Sequence, residues 1–185
     1  MVHHIRLTCS SLVALSVLIG CDQISPLSPS SGVSTPAARL VPWKESYQAT
    51  GTIAPDARCP APQLLTTLEG GGTATHVGKY TIVNSHCVDP VTGVLTDGSF
   101  TKTAANGDQL FGTYIGTSSV IQPPAPIGVF SVSGTLTYTG GTGRFAGMAG
   151  TATMEGTLEA DFSQQPVTAT STLIMIGEIS SPGQN

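Results

Sequence analysis

The sequence predicts an all-β domain, a closed antiparallel β-barrel of about eight strands, with a two-sheet β-sandwich as the alternative. Strict alternation is the first observation behind this reading. In "TATMEGTLEADF", Thr151, Thr153, Glu155, Thr157, Glu159 and Asp161 alternate with Ala152, Met154, Gly156, Leu158, Ala160 and Phe162. A period of two over that length is a half-buried strand, and helical spacing does not produce it. "FSVSGTLTYT" repeats the pattern, with Phe130, Val132, Gly134, Leu136 and Tyr138 on one side and Ser or Thr on the other. Turn chemistry is the second observation. Asn106-Gly107 separates two strand-like runs, as a tight hairpin turn with positive φ at both central residues requires, and "DPVTG" at 89–93 is another turn. The third is glycine inside the strands, which lets a backbone coil at a barrel corner. Closure also removes the edges that Thr-rich strands would otherwise expose.

The chain opens with segments outside that fold. Residues 1–20 read as a secretory signal: Arg6 supplies a positive end and "LTCSSLVALSVLIG" is an uncharged run. At about 14 residues the run is short for a membrane-spanning helix. Its end, "LIGC", resembles the lipobox of bacterial lipoproteins, at the place where a lipobox belongs. That resemblance implies a diacylglycerol thioether on Cys21 and an acyl chain on its amine. The alternative is an ordinary secreted protein whose Cys21 is unpaired or in a disulfide. At roughly 0.8 kcal/mol per buried methylene, two or three chains hold a protein on a bilayer. The expected location is therefore the bacterial cell envelope, on the extracytoplasmic side of a membrane, with the bilayer as partner through acylated Cys21. Residues 21–45, rich in Ser and Pro, read as a disordered tether with a mean reach of roughly 25–30 Å. The barrel domain is expected over residues 46–182.

Strands are expected near 46–54, 63–75, 77–88, 94–104, 108–118, 128–139, 148–161 and 167–179, joined by links short enough for antiparallel neighbours. Cys9 leaves with the signal and Cys21 carries lipid, so Cys59 and Cys87 remain. In an oxidising compartment such a pair reads as a disulfide, which stabilises the fold by about 3–4 kcal/mol on the chain-entropy model. The alternative is a reactive thiol at Cys87 beside His86, but neighbours on a strand point to opposite faces. From residue 46 onward Arg58, Lys79, Lys102 and Arg144 face nine carboxylates. With no basic stripe, nucleic acid is not an expected partner.

"GGTGRFAGMAGT", from Gly140 to Thr151, invites comparison with phosphate-binding loops. A Walker loop requires Lys and then Ser or Thr after its final glycine, and neither is present. The dinucleotide fingerprint nearly fits as Gly141, Gly143 and Ala146, yet it must open a helix, and here the cleanest strand of the chain follows. The stretch reads as a bend, with Phe145 placed to plug the barrel end. No cofactor is expected.

Candidate chemistry is sparse. His76 and His86 would lie roughly 33 Å apart on a continuous strand, and a hairpin near Gly78 would still supply only two ligands, so no metal site is expected. There is no G-x-S-x-G and no H-E-x-x-H, and no catalytic residue is assigned. Glu69 reads as a surface carboxylate. In "GKYTIVNSHCVD" one face carries Tyr80, Ile82, Asn84, His86 and Val88. Tyr80, Asn84 and His86 are the ligand-binding candidates, able to orient a polar group inside a barrel; the plainer reading is hydrogen-bonded filling or solvent exposure.

"GGTGRFAGMAGT" together with "ATHVGKYT" and "TAANGDQLFGTYIGT" resembles the bacterial relatives of the allene oxide cyclase and dirigent barrels, over most of residues 60–178. The shared motifs are structural glycines and turns, so no functional residue of those families is carried over. The resemblance implies a barrel, allows a trimer by analogy with plant relatives, and suggests an isomerase or cyclase acting on a lipid-like substrate. The favoured expectation is a membrane-anchored, non-enzymatic lipoprotein whose barrel binds a small apolar ligand. Ala152, Gly156 and Ala160 among Leu158 and Phe162 either leave a cavity or let a narrow barrel pack shut. The inward face distinguishes these outcomes.

Overall fold

The computed structural model describes residues 39–180. The expected signal, Cys21 and the tether up to residue 38 lie outside the described residues. Eight strands follow in order: β1 (Leu40–Ala54), β2 (Leu64–Ala74), β3 (Gly78–Val88), β4 (Val94–Ala104), β5 (Gln109–Gln122), β6 (Ile127–Gly141), β7 (Gly150–Asp161) and β8 (Val167–Ser180). Each pairs antiparallel with its neighbour in sequence, and β8 returns to β1 from Leu40↔Ser180 to Ile53↔Val167. The ring closes, as expected, and the sandwich alternative is set aside.

β1 begins at Leu40, earlier than the expected residue 46. Trp43 and Glu45, assigned by sequence to the tether, are each only 1% exposed. The inward phase Trp43, Glu45, Tyr47 runs unbroken into Ala49, and the carboxylate in that phase masks it from a hydrophobic reading. Elsewhere alternation holds: Ala152, Met154 and Ala160 of β7 are buried, and the intervening Thr and Glu side chains are exposed.

Two glycines admit aromatic rings from the adjacent strand. Phe100 on β4 pairs with Gly112 on β5, where an added Cβ would lie 2.3 Å from the ring; Tyr114 pairs with Gly98, where it would lie 2.6 Å away. Each ring covers bare backbone, a device that pins register in curved sheets.

Antiparallel alternation gives the barrel two unlike ends. The connections at 75–77, 105–108 and 142–149 share one end with the beginning of β1. There a single 3₁₀ turn, Gly143–Phe145, drives Phe145 into the interior, where it is wholly buried. Arg144 donates from Nη2 to the Val77 carbonyl at 3.0 Å and sits 3.8 Å from the Asp108 carboxylate, tying the plug to two other loops. The glycine-rich stretch is a bend that carries a stopper.

The connections at 55–63, 89–93, 123–126 and 162–166 lie at the other end. A disulfide between Cys59 and Cys87, with Cα atoms 5.6 Å apart, ties the first of these loops to β3. Cys87 faces outward beneath that loop, in a small cluster with Leu65, whereas His86 faces inward. The pairing expected from cysteine count is present, and the reactive-thiol alternative is not.

Candidate functional site

The barrel interior is layered from the plugged end to the open one. Directly above the plug lies an ionic knot. Glu45 on β1 accepts hydrogen bonds from Trp43 Nε1 at 3.1 Å, from Tyr138 OH at 3.0 Å, from the Tyr80 hydroxyl and from Lys102 Nζ at 2.5 Å. Lys102 is fully enclosed, with its ammonium 4.5 Å from the centre of the Phe100 ring and 4.9 Å from that of Tyr138. Burial pulls the Lys102 ammonium below its ordinary pKa, and the Glu45 carboxylate opposes that pull. Burial, and then the Glu45 charge, raises the Tyr80 and Tyr138 hydroxyls well above the usual phenol range. Every charge here has a partner, so the layer is a floor rather than a reactive centre.

The next layer is polar and uncharged. Tyr47 OH accepts from Asn84 Nδ2 at 3.4 Å, and Tyr114 OH lies 2.8 Å from His86 Nδ1 and 3.5 Å from Asn84 Oδ1. Burial holds His86 down to about pKa 4, so the imidazole is neutral near pH 7. Burial likewise pushes the Tyr47 and Tyr114 hydroxyls upward.

Above this layer the barrel is hollow. A cavity of about 410 Å³ runs from Tyr47, Asn84, His86 and Tyr114 to the open end, walled by Leu68, Ile82, Phe100, Val132, Leu136, Met154, Leu158 and Leu173. Its volume falls within the range of small-molecule sites, about 300–1,000 Å³. Val91, Val120, Phe130 and Phe162 form the rim; Val91 is 87% exposed. Of the small residues on β7, Ala160 lines this cavity beside Met154 and Leu158, whereas Ala152 and Gly156 do not.

Of the three ligand-binding candidates, Asn84 and His86 line this cavity. Tyr80 shares their face of β3 but lies deeper, where its hydroxyl is committed to Glu45. His76 sits in the exposed turn between β2 and β3 with φ of 66°, at the opposite end of β3 from His86. Glu69 is exposed on the outer face of β2. No cluster of metal-binding side chains occurs among the described residues. Sequence reasoning missed Glu45, Tyr47, Thr66, Lys102 and Tyr114. The signal for Lys102 was its phase: it follows Phe100 and precedes Ala104 at spacings of two, on the inward face of β4.

The chain matches no family model, no curated protein and no solved structure.

Proposed function

We propose that this protein is a lipoprotein held by acylated Cys21 on the extracytoplasmic face of a bacterial envelope membrane, and that its barrel binds a small apolar molecule without transforming it. The observation that carries the binding reading is the apolar cavity of about 410 Å³, open at one end and plugged at the other. Apolar walls supply affinity through area removed from water, at about 25 cal/mol per Å² before the costs of immobilising a ligand. Polar groups lie at the cavity floor, as Asn84, His86 and Tyr114, and at its mouth, as Asp89, Thr92, Ser118 and Ser119, with the apolar wall between them. The anchor reading rests on the signal-like residues 1–20 and the "LIGC" junction. The bilayer is the proposed partner, and nucleic acid is not, because carboxylates outnumber cations across the barrel.

Two measurements test this. Radiolabelled palmitate is expected to enter the wild-type chain and not Cys21→Ser; label in both would remove the anchor. A neutral environment-sensitive dye, N-phenyl-1-naphthylamine, is expected to bind at one molecule per chain. Leu158→Trp places an indole in the cavity wall and is expected to weaken that binding at least tenfold.

A second reading is an isomerase or cyclase for a lipid-like substrate, as the family resemblance suggests. The convergence of neutral His86 with Tyr114 and Asn84 on an accessible cavity favours it. Turnover of an oxidised unsaturated lipid that is lost in His86→Gln would establish this reading over simple binding.

A further inference from the structure

Two polar atoms at the cavity floor have no hydrogen-bond partner among the described residues. Thr66 Oγ1 is a buried side-chain oxygen without any hydrogen bond, on a residue only 1% exposed. Its Cα partner across the β2–β3 ladder is His86, and both residues line the cavity. Directly opposed residues carry their Cβ atoms about 4.5–5.5 Å apart, so one ligand atom can reach both side chains. The Nδ1 atom of His86 is taken by Tyr114 at 2.8 Å, and no hydrogen bond is made to Nε2 by any described residue. The Tyr114 hydroxyl has one hydrogen: given to Asn84 Oδ1 at 3.5 Å it leaves Tyr114 to accept from His86 Nδ1–H, and given to Nδ1 it leaves the ring nitrogen as acceptor. In the first arrangement Nε2 is an acceptor, and in the second it carries the hydrogen and donates; in both it faces no protein partner among the described residues. The floor thus carries one unsatisfied donor, the Thr66 hydroxyl, beside His86 Nε2, which donates or accepts according to its tautomer.

The charge around them is equally specific. Among the described residues no lysine or arginine lines the cavity, and one carboxylate does, Asp89, in the loop at the open end. Lys102 is bound to Glu45 one layer below. His86 is neutral at pH 7 because burial holds its pKa near 4. A carboxylate head group brought to this floor would meet no cation, and an unpaired buried charge is strongly disfavoured.

We propose that the occupant of the cavity is an uncharged molecule with an apolar body and one oxygen acceptor, a ketone, aldehyde, ester carbonyl or alcohol, seated between Thr66 Oγ1 and His86 Nε2. This rests on the reading of the barrel as a binder of small apolar molecules. The oxygen lies at the floor and the hydrocarbon body runs along the wall toward Val120 and Phe162 at the rim.

Octane, octan-2-one and octanoate share a chain length and differ in head group. Their displacement of N-phenyl-1-naphthylamine is to be measured at pH 7 on the mature chain carrying Cys21→Ser, free of detergent. The ketone is expected to bind about fivefold or more tightly than the alkane, and more tightly than the carboxylate. Thr66→Val keeps the shape and removes the hydroxyl, so the ketone-to-alkane ratio is expected to fall toward one; Thr66→Ser retains it. Thermal unfolding of each variant checks that the barrel stays folded. Equal affinity for alkane and ketone, or preference for octanoate, overturns this inference and leaves a purely apolar binding cavity standing. Failure of all three to displace a dye that does bind also overturns it. A dye that never binds counts against the binding reading itself.

Discussion

Glu45 accepts four hydrogen bonds from side chains on four strands, and Lys102 contributes one of them from full burial. A buried pair of this kind adds little net stability over an apolar replacement, but losing one member strands the other's charge. Lys102→Met is therefore expected to lower unfolding free energy by about 3–5 kcal/mol in urea titrations. The double change Glu45→Gln with Lys102→Met is expected to recover most of that loss; equal damage from both would show that shape, not charge, governs the site. His86 gives a pH signature. Its native pKa is near 4 and its ordinary value 6.5, so between those limits the unfolded chain holds a proton that the native one refuses. Stability is expected to fall as pH drops from about 6.5 to about 4, by about 3 kcal/mol in all, and His86→Gln is expected to flatten that slope. Hydrogen bonds hold the half-buried carboxylates of Asp56, Asp89 and Asp161 below their ordinary pKa, so their contributions fade only as pH falls below this window. At this scale sequence reached part of the site. Asn84 and His86 share a period-two face that the sequence grouped correctly but left open between interior and solvent, whereas Glu45 and Lys102 sit at inward positions where a charge looks like a break in the pattern. Tyr114 was missed because its neighbours in phase, Gly112 and Gly116, carry no hydrophobic signal.

Among the strands, β4 and β5 show most directly how glycine sets curvature. An alanine Cβ at Gly112 would lie 2.4 Å from the Thr137 carbonyl oxygen and 2.3 Å from Phe100. Gly112→Ala is expected to cost about 2–3 kcal/mol by thermal or urea unfolding. Gly78 is a useful contrast: it has φ of +79° and open space around its Cα, so alanine there meets only backbone strain. Gly78→Ala is expected to cost about 1 kcal/mol. If the two substitutions cost the same, the close packing at Gly112 is not what demands glycine. The strands themselves were largely legible, because each hairpin turn carries its own chemistry and β6 and β7 alternate cleanly. The start of β1 was not: Ser and Pro dominate the approach to it, and its pairing with the end of β8 is a contact across the whole sequence that local pattern does not encode. The bend at 140–149 was legible as a bend because a strand, not a helix, follows it.

At the level of the whole barrel, one end is stopped by Phe145 and the other opens into an apolar cavity rimmed by the exposed side chains of Val91, Val120 and Phe162. Closure was read from eight strands with glycines inside them and from the edges that closing removes; whether the interior was hollow was not legible, since volume depends on how eight inward faces interlock. The disulfide fastens the loop at 55–63 to β3 and so steadies the open end. The bridge closes a loop of sequence separation 28, and replacing both cysteines by alanine is expected to cost about 3–4 kcal/mol. The most direct test of a hollow, occupied barrel is native mass spectrometry of the protein released gently from its own cells. One small uncharged molecule per chain is expected on wild type and none on Leu158→Trp. A bare chain mass for wild type, unchanged after addition of an apolar ketone, would contradict the account.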